Sequence, residues 1–154
     1  TVALEISPLI AQRDLDFGIH TEAAPVRAHE WMLRELTRNL LHNAVRHAPH
    51  GSELAVDLRC DAHHTALTIS DCGPGIEPEL AARLFQPFSA GDVRSGSGLG
   101  LAICQEIVQA LGGSITLTNR KRGTRILGLD AVVRLPLAQH FASANHGNPA
   151  QLSE

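Results

Sequence analysis

Hydrophobic and polar positions follow two different periods along this 154-residue chain. The strongest helical pattern covers 28–48, where apolar residues recur every three or four positions until Pro49 and Gly51 end it. Residues 53–59 and 65–70 instead alternate between apolar and polar, which predicts a β-hairpin. The same rules predict the remaining elements: a short helix over 3–13, a strand over 15–19, a short helix after Pro78, a buried helix over 99–111, and strands over 114–119 and 125–135.

This order of elements lacks a regular β-α-β alternation, which favours an α+β sandwich over a doubly wound sheet. Residues 86–98 carry Gly, Pro and Ser with few apolar anchors, and we expect a mobile loop there. Residues 139–154 are polar and contain Gly and Pro, so we expect a disordered tail. The organisation predicted is one domain over 1–138 followed by that tail.

A polar stripe runs along the helix predicted over 28–48. Glu35, Asn39, Asn43 and Arg46 fall within about 80° of one another at ~100° per residue. The stripe is either a solvated face or the lining of a cleft. Asparagine is a poor residue for a helix interior, so two of them on one face favour the cleft. An amide oxygen suits Mg²⁺, an arginine suits phosphate, and a carboxylate can act as a base.

Two glycine-containing segments add candidate binding chemistry. In Asp71-Cys-Gly73-Pro-Gly75, a carboxylate at a strand end could accept a hydrogen bond from an exocyclic amine, although a simple turn is the better explanation of this segment taken alone. In Gly96-Ser-Gly98-Leu-Gly100, backbone N–H groups at the start of a helix favour an anion. No lysine follows these glycines, so the segment is not a P-loop.

Composition narrows the possible classes of protein. The chain is 44% hydrophobic with a formal net charge of −3, which argues against binding to nucleic acid through a basic surface. Lys121 is the single lysine, so neither a P-loop nor a Schiff-base mechanism has its essential residue. Three widely separated cysteines suggest reduced thiols in the cytosol. No apolar run is long enough to span a bilayer, so we expect no membrane contact by this segment.

The four motifs in order resemble the N, G1, F and G2 boxes of the catalytic domain of bacterial sensor histidine kinases. They are Glu35-x3-Asn39-x3-Asn43-x2-Arg46-His47, Asp71-x-Gly73-x-Gly75, Phe85-x2-Phe88 and Gly96-x-Gly98-x-Gly100. The resemblance covers roughly 15–137 and implies the Bergerat ATPase fold, a two-layer α/β sandwich with helices on one face of a mixed sheet. Residues 85–92 also resemble sensors of the tricarboxylate-transport regulator subgroup.

The resemblance implies an ATP-dependent protein-histidine kinase that uses ATP and Mg²⁺. Asp71 would bind the adenine amino group, Asn43 would ligate Mg²⁺, and Glu35 would help the incoming histidine to attack. The catalytic set would be Glu35, Asn39 and Arg46. The nucleotide-binding set would be Asn39, Asn43, Arg46, His47, Asp71, Gly73, Gly75, Ile76, Phe88, Arg94, Gly96, Ser97, Gly98, Leu99, Gly100 and Leu101.

Two positions depart from the family pattern. Arg94 is the one basic residue in the short lid, and we predict that it contacts the β- and γ-phosphates in a closed state; a solvated loop arginine is the alternative. The last box of the family, a Gly-Thr pair, falls on Gly128-Leu129 when counted back from the final strand, or on Gly123-Thr124 when matched by residue type. Which of Leu129 and Thr124 lies near adenine stays open from the sequence.

The phosphorylated histidine of the family is not expected in this chain. His29-Glu30 shares only the first two letters of its motif and lies 14 residues before Asn43, too near to reach its own site. We expect none of the nine histidines to be a metal ligand. The resemblance therefore implies two partners: a dimerisation and phosphoacceptor hairpin upstream in the same protein, and the receiver domain of a response regulator. The chain would be the cytoplasmic domain of a bacterial inner-membrane sensor, unable to phosphorylate itself alone.

Two other functions remain open. Another ATPase of the same superfamily, such as a topoisomerase, mismatch-repair or chaperone domain, would use Glu35 to activate water. The short lid flanked by phenylalanines and the Gly98-Leu-Gly100-Leu-Ala-Ile segment argue against it. A non-catalytic nucleotide-binding module is the third possibility. The presence of all four polar residues Glu35, Asn39, Asn43 and Asp71 argues against the loss of catalytic function that this possibility requires.

Overall fold

The computed structural model describes residues 2–22, 26, 28–84 and 100–137. Within these ranges the chain forms four helices and five strands. The helices are α1 (Val2–Gln12), α2 (Glu30–His47), α3 (Pro78–Leu84) and α4 (Gly100–Ala110). The strands are β1 (Asp16–Thr21), β2 (Glu53–Cys60), β3 (His64–Asp71), β4 (Ser114–Arg122) and β5 (Arg125–Pro136). The predicted loop over 86–98 and tail over 139–154 lie outside the described residues.

The strands form one mixed sheet in the order β1-β2-β3-β5-β4. β1 runs parallel to β2, and the other neighbours are antiparallel. Two hairpins, β2-β3 and β4-β5, supply most of the sheet, and the first is the one that the alternating pattern predicts. The mixed sheet and its helices confirm the predicted α+β class.

The core lies between one face of the sheet and helices α1, α2 and α4. Alternate strand residues such as Leu54, Ile69 and Val133 are almost completely buried against Leu36 and Leu40 of α2. The opposite face carries polar side chains, for example the exposed Arg59 and Arg134. The arrangement is therefore the two-layer sandwich with helices on one face that the resemblance implies.

Helix α2 is positioned by local signals and by its apolar face. Leu40, Leu41 and Ala44 are buried, and Pro49 follows just after the Ala48 N–H closes the last turn on the Ala44 carbonyl at 2.9 Å. Arg13 Nη1 at the end of α1 donates to the Ala48 carbonyl at 2.9 Å. These contacts fix the carboxyl end of α2 beside the sheet. Among the helices that the structure describes, none combines the length and apolar character needed to cross a membrane.

Candidate functional site

Asp71 is the most deeply buried acidic side chain of the candidate site. It ends β3, it is 2% exposed, and its Oδ1 accepts a hydrogen bond from Gly73 N–H at 2.8 Å. Burial raises the pKa of Asp71, while backbone N–H groups of Gly73 and Leu129 and the charge of His47 oppose that rise. A carboxylate has about four acceptor positions, so two backbone donors leave room for a further donor from a ligand.

The carboxyl end of α2 packs directly on the loop that follows Asp71. A Cβ atom on Gly73 would lie 2.6 Å from the His47 carbonyl oxygen, so only glycine allows this approach. Partial burial lowers the pKa of the His47 imidazole, the Asp71 carboxylate raises it, and Arg46 lowers it further. The structure thus brings His47 together with Gly73 and Asp71, which lie more than 20 residues further along the sequence.

The polar stripe of α2 is partly ordered by contacts within the helix. Glu35, Asn39 and Asn43 are half-buried, and Arg46 is exposed. Asn39 Nδ2 donates to the Glu35 carbonyl at 2.8 Å. The Glu35 carboxylate forms an ion pair with Arg38. Sequence reasoning omitted Arg38, although its i,i+3 spacing from Glu35 is a recognised pairing distance.

The amide oxygens of this stripe fit a magnesium ion that is shared with a polyphosphate. The hydrogen bond of Asn39 uses its nitrogen and leaves its oxygen available. Within the described part of the chain, no protein group bonds to the Asn43 amide, and no cluster of three His, Cys, Asp or Glu side chains could hold a metal. Mg²⁺ takes few protein ligands when phosphates and water supply the rest, so one or two neutral oxygens suffice.

A second group of side chains holds the loop between Asp71 and Ile76 from the other side. Asn119 on β4 accepts from Ile76 N–H at 2.8 Å and donates to the Ile76 carbonyl at 2.7 Å. Arg120 Nη2 donates to the Asp71 carbonyl at 2.7 Å. Sequence reasoning missed both residues, because their contacts depend on how β4 packs beside the loop. The only signal in the sequence was the presence of polar residues at the end of the strand predicted over 114–119.

The remaining predicted residues divide into two groups. Gly75, with φ +77°, and Ile76 lie in the loop after Asp71, while Gly100 and Leu101 begin α4. Helix α4 packs on α2, where the buried Cys104 Sγ lies 3.8 Å from the Leu36 carbonyl oxygen. The other predicted binding residues lie outside the described part of the chain: Phe88, Arg94, Gly96, Ser97, Gly98 and Leu99.

Comparison with known proteins places this geometry in a family. Residues 28–139 match the family model described as histidine kinase-, DNA gyrase B- and HSP90-like ATPase. The chain belongs to this ATPase family. The match spans α2, the loop after Asp71 and α4, which are the elements that form the candidate site.

The individual proteins to which the chain is similar include several sensor kinases. The chain is 32% identical over 145 residues to the sensor protein kinase PmrB of Pseudomonas aeruginosa, covering 92% of this chain and 30% of PmrB. It superimposes on the mycobacterial sensor histidine kinase MprB with a TM-score of 0.75 and 28% identity, covering 88% of this chain and 93% of that one. Full-length ShkA in complex with AMPPNP gives a TM-score of 0.76 and 25% identity, covering 89% and 28%. The chain spans less than a third of PmrB.

The register of β5 decides which residue lies beside Asp71 in this member of the ATPase family. Leu129 pairs with Asp71 across β3 and β5. Thr124 follows Gly123, which has φ +64°, in the turn between β4 and β5. Five residues of strand, about 17 Å, separate the two positions. The position that the sequence left open is therefore filled by Leu129, and no hydroxyl stands there.

His29 occupies the N-cap of α2 and is exposed, without a side-chain capping bond. It lies on the helix that carries Asn43, as the sequence spacing predicts. This placement fits a solvated histidine and not a substrate presented to the site.

Proposed function

We propose that this chain binds ATP with Mg²⁺ and donates the γ-phosphoryl group to a histidine of a separate dimerisation and phosphoacceptor hairpin. The observation that carries the proposal is the buried Asp71 carboxylate held beside the carboxyl end of α2, whose polar stripe carries amide oxygens and an arginine. Membership of the ATPase family and the likeness to ShkA, which was solved in complex with AMPPNP, support nucleotide binding by this chain.

Each described residue has a definite part in the proposed site. Asp71 accepts a hydrogen bond from the adenine amine, and Gly73 and Gly75 let the loop that follows it pack closely against α2 and β4. Asn43, with Asn39 beside it, offers amide oxygens to the metal. Arg46 and His47 lie near the phosphates, where Arg46 supplies positive charge that the lone lysine of the chain does not.

Transfer of the phosphoryl group rests on positioning and charge neutralisation. When bound, Mg²⁺ neutralises part of the triphosphate charge. The bond between the γ-phosphorus and the bridging oxygen breaks, a phosphorus–nitrogen bond forms on the imidazole, and ADP leaves. Glu35 orients the incoming imidazole through the acceptor positions that its ion pair with Arg38 leaves open. Gly100 and Leu101 at the start of α4 complete the phosphate side of the site.

The proposal extends to the protein that contains this chain. The phosphoryl group passes from the histidine to the receiver domain of a response regulator, and the site faces the cytoplasm of a bacterial sensor anchored in the inner membrane. The likeness to the sensor protein kinase PmrB supports a role within a sensor protein.

Mixing the chain with separately prepared upstream hairpins, radiolabelled ATP and Mg²⁺ tests the proposal. The expected product is acid-labile, base-stable phosphohistidine on one hairpin and none on the chain alone. Glu35→Gln should slow transfer while leaving nucleotide affinity within about twofold. Steady ATP hydrolysis by the chain alone, abolished by Glu35→Gln, would instead indicate a water-activating ATPase. Phosphohistidine on the chain alone would contradict the assignment of the acceptor to another domain.

A further inference from the structure

The loop from Asp71 to Ile76 is attached at both ends to one strand of the sheet. Arg120 Nη2 on β4 bonds to the Asp71 carbonyl at 2.7 Å, and the neighbouring Asn119 bonds to both backbone groups of Ile76 at 2.7 and 2.8 Å. An amide side chain that accepts from the N–H and donates to the C=O of one residue makes the same pair of hydrogen bonds that a neighbouring β-strand would make. These two residues have no part in the function proposed above.

Contacts on β5 hold the Arg120 guanidinium in place. The pairing of β4 with β5 is regular as far as Arg120 opposite Gly128, and the register shifts only after it, between Arg120 and Lys121. The guanidinium donates to the Asp130 carboxylate at 2.5 Å and to the Leu129 carbonyl at 3.4 Å, in addition to the Asp71 carbonyl. These contacts fix the fork of Arg120 in one orientation.

Two glycines provide the space that the attachment needs. A Cβ atom on Gly128 would collide with the Asp71 carbonyl oxygen and with Arg120 Nη2. A Cβ atom on Gly75 would lie 2.5 Å from Asn119 Oδ1, and its φ of +77° already favours glycine. The close approach of β4, β5 and the loop therefore depends on four residues: Asn119 and Arg120 on β4, Gly128 on β5 and Gly75 in the loop.

We propose that Arg120 and Asn119 are positioning residues for adenine recognition, acting through the Asp71–Ile76 loop. This inference rests on the proposed function, since it assumes that Asp71 accepts a hydrogen bond from the base. Hydrogen bonds weaken steeply as distance and angle depart from their optimum, so a small displacement of Asp71 loses the contact with the exocyclic amine. The phosphates contact α2 instead, so the loss should be confined to the part of affinity that depends on the amine.

The test compares ATP with purine riboside triphosphate, which lacks the amine at position 6. The wild-type chain should bind ATP more tightly than the amine-free analogue. Arg120→Gln should lower ATP affinity about five- to tenfold, the scale of one hydrogen bond, and change the affinity of the analogue less than about twofold. Asn119→Ala should also reduce the ratio of ATP affinity to analogue affinity. Arg120→Lys should reduce this ratio less than Arg120→Gln does.

Arg134→Gln is the matched control, because Arg134 is exposed on β5 of the same sheet and makes no side-chain bond within the described residues. It should leave both affinities unchanged. Thermal unfolding of every variant shows whether it is folded at the assay temperature, and Asn119→Ala replaces Arg120→Gln if that variant is not.

Three results would overturn the inference. A preference for ATP that survives both Arg120→Gln and Asn119→Ala removes the positioning role alone and leaves the proposed function intact. Equal losses of affinity for ATP and the analogue indicate a general structural role. A wild-type chain that binds both nucleotides equally removes the adenine contact of Asp71, and with it both the inference and that part of the proposed function.

Discussion

Replacing Asp71 with asparagine should change nucleotide affinity and the stability of the ligand-free fold in opposite directions. The asparagine oxygen can still accept the Gly73 N–H bond, which is 2.8 Å long in the wild type. Its NH₂ group, however, would face the exocyclic amine of adenine, placing donor against donor. The expected loss is ~1–3 kcal/mol, the scale of a buried polar partner left unpaired, or roughly 5- to 150-fold in affinity for ATP.

Stability should respond differently because burial raises the pKa of Asp71 above its ordinary value. The folded chain then holds the proton more tightly than the unfolded chain. The contribution of Asp71 to stability is therefore fully present below the unfolded pKa and is lost as pH rises through the folded pKa. At pH 7.5 the ionised carboxylate disfavours the ligand-free fold, and a neutral amide of similar size removes this cost.

Calorimetric titration with ATP, combined with thermal unfolding of the ligand-free chain at pH 7.5 and pH 5, measures both effects. Asp71→Asn should melt no lower than the wild type at pH 7.5, and its advantage should shrink as pH falls. Unchanged affinity for ATP would refute the adenine contact. A loss of affinity accompanied by an equal loss of stability would refute the reasoning about burial, since the side chain would then be structural.

Three further changes test other parts of the site and the core. Asn43→Ala should abolish the difference in nucleotide affinity between buffers containing Mg²⁺ and EDTA; a difference of wild-type size would exclude Asn43 as a ligand. Leu40→Ala removes a side chain that is 2% exposed and should lower the free energy of unfolding by ~2–5 kcal/mol in urea. Because the pKa of His47 lies below 6.5, the unfolded chain takes up the proton first as pH falls, so His47→Gln should lessen the loss of stability on acidification. His50→Gln is the control, and an unaltered pH profile for His47→Gln would contradict this expectation.

The sequence predicted those elements whose signals are local. The period of apolar residues and Pro49 placed α2 within two residues of its observed ends at Glu30 and His47. The alternation of β2 and β3 predicted their hairpin, and Gly112, with φ +74°, follows α4 as expected of a helix end. The polar stripe of α2 and Asp71 at the end of β3 lie on the elements that the sequence predicted for them, because type and spacing are local within one element.

What the sequence did not predict depends on contacts between elements. The choice between Leu129 and Thr124 required the β3–β5 register, since counting and residue type gave different answers. The attachment by Arg120 and Asn119 required the placement of β4 beside the Asp71–Ile76 loop, which no periodicity marks. The ion pair of Glu35 with Arg38 depends on the choice of rotamer along one helix face.

The interface between α2 and α4 contains a buried cysteine, Cys104, whose rate of alkylation reports how often the two helices separate. Burial raises the pKa of Cys104 to about 12, and its sulfur is shielded beside the Leu36 carbonyl. Thiolate reacts with alkylating agents and thiol does not, so Cys104 becomes modified only when α4 separates from α2. Cys60 and Cys72 are half-buried and should be labelled earlier. The slow phase of alkylation, followed by mass spectrometry with and without nucleotide, therefore measures how often α4 leaves α2.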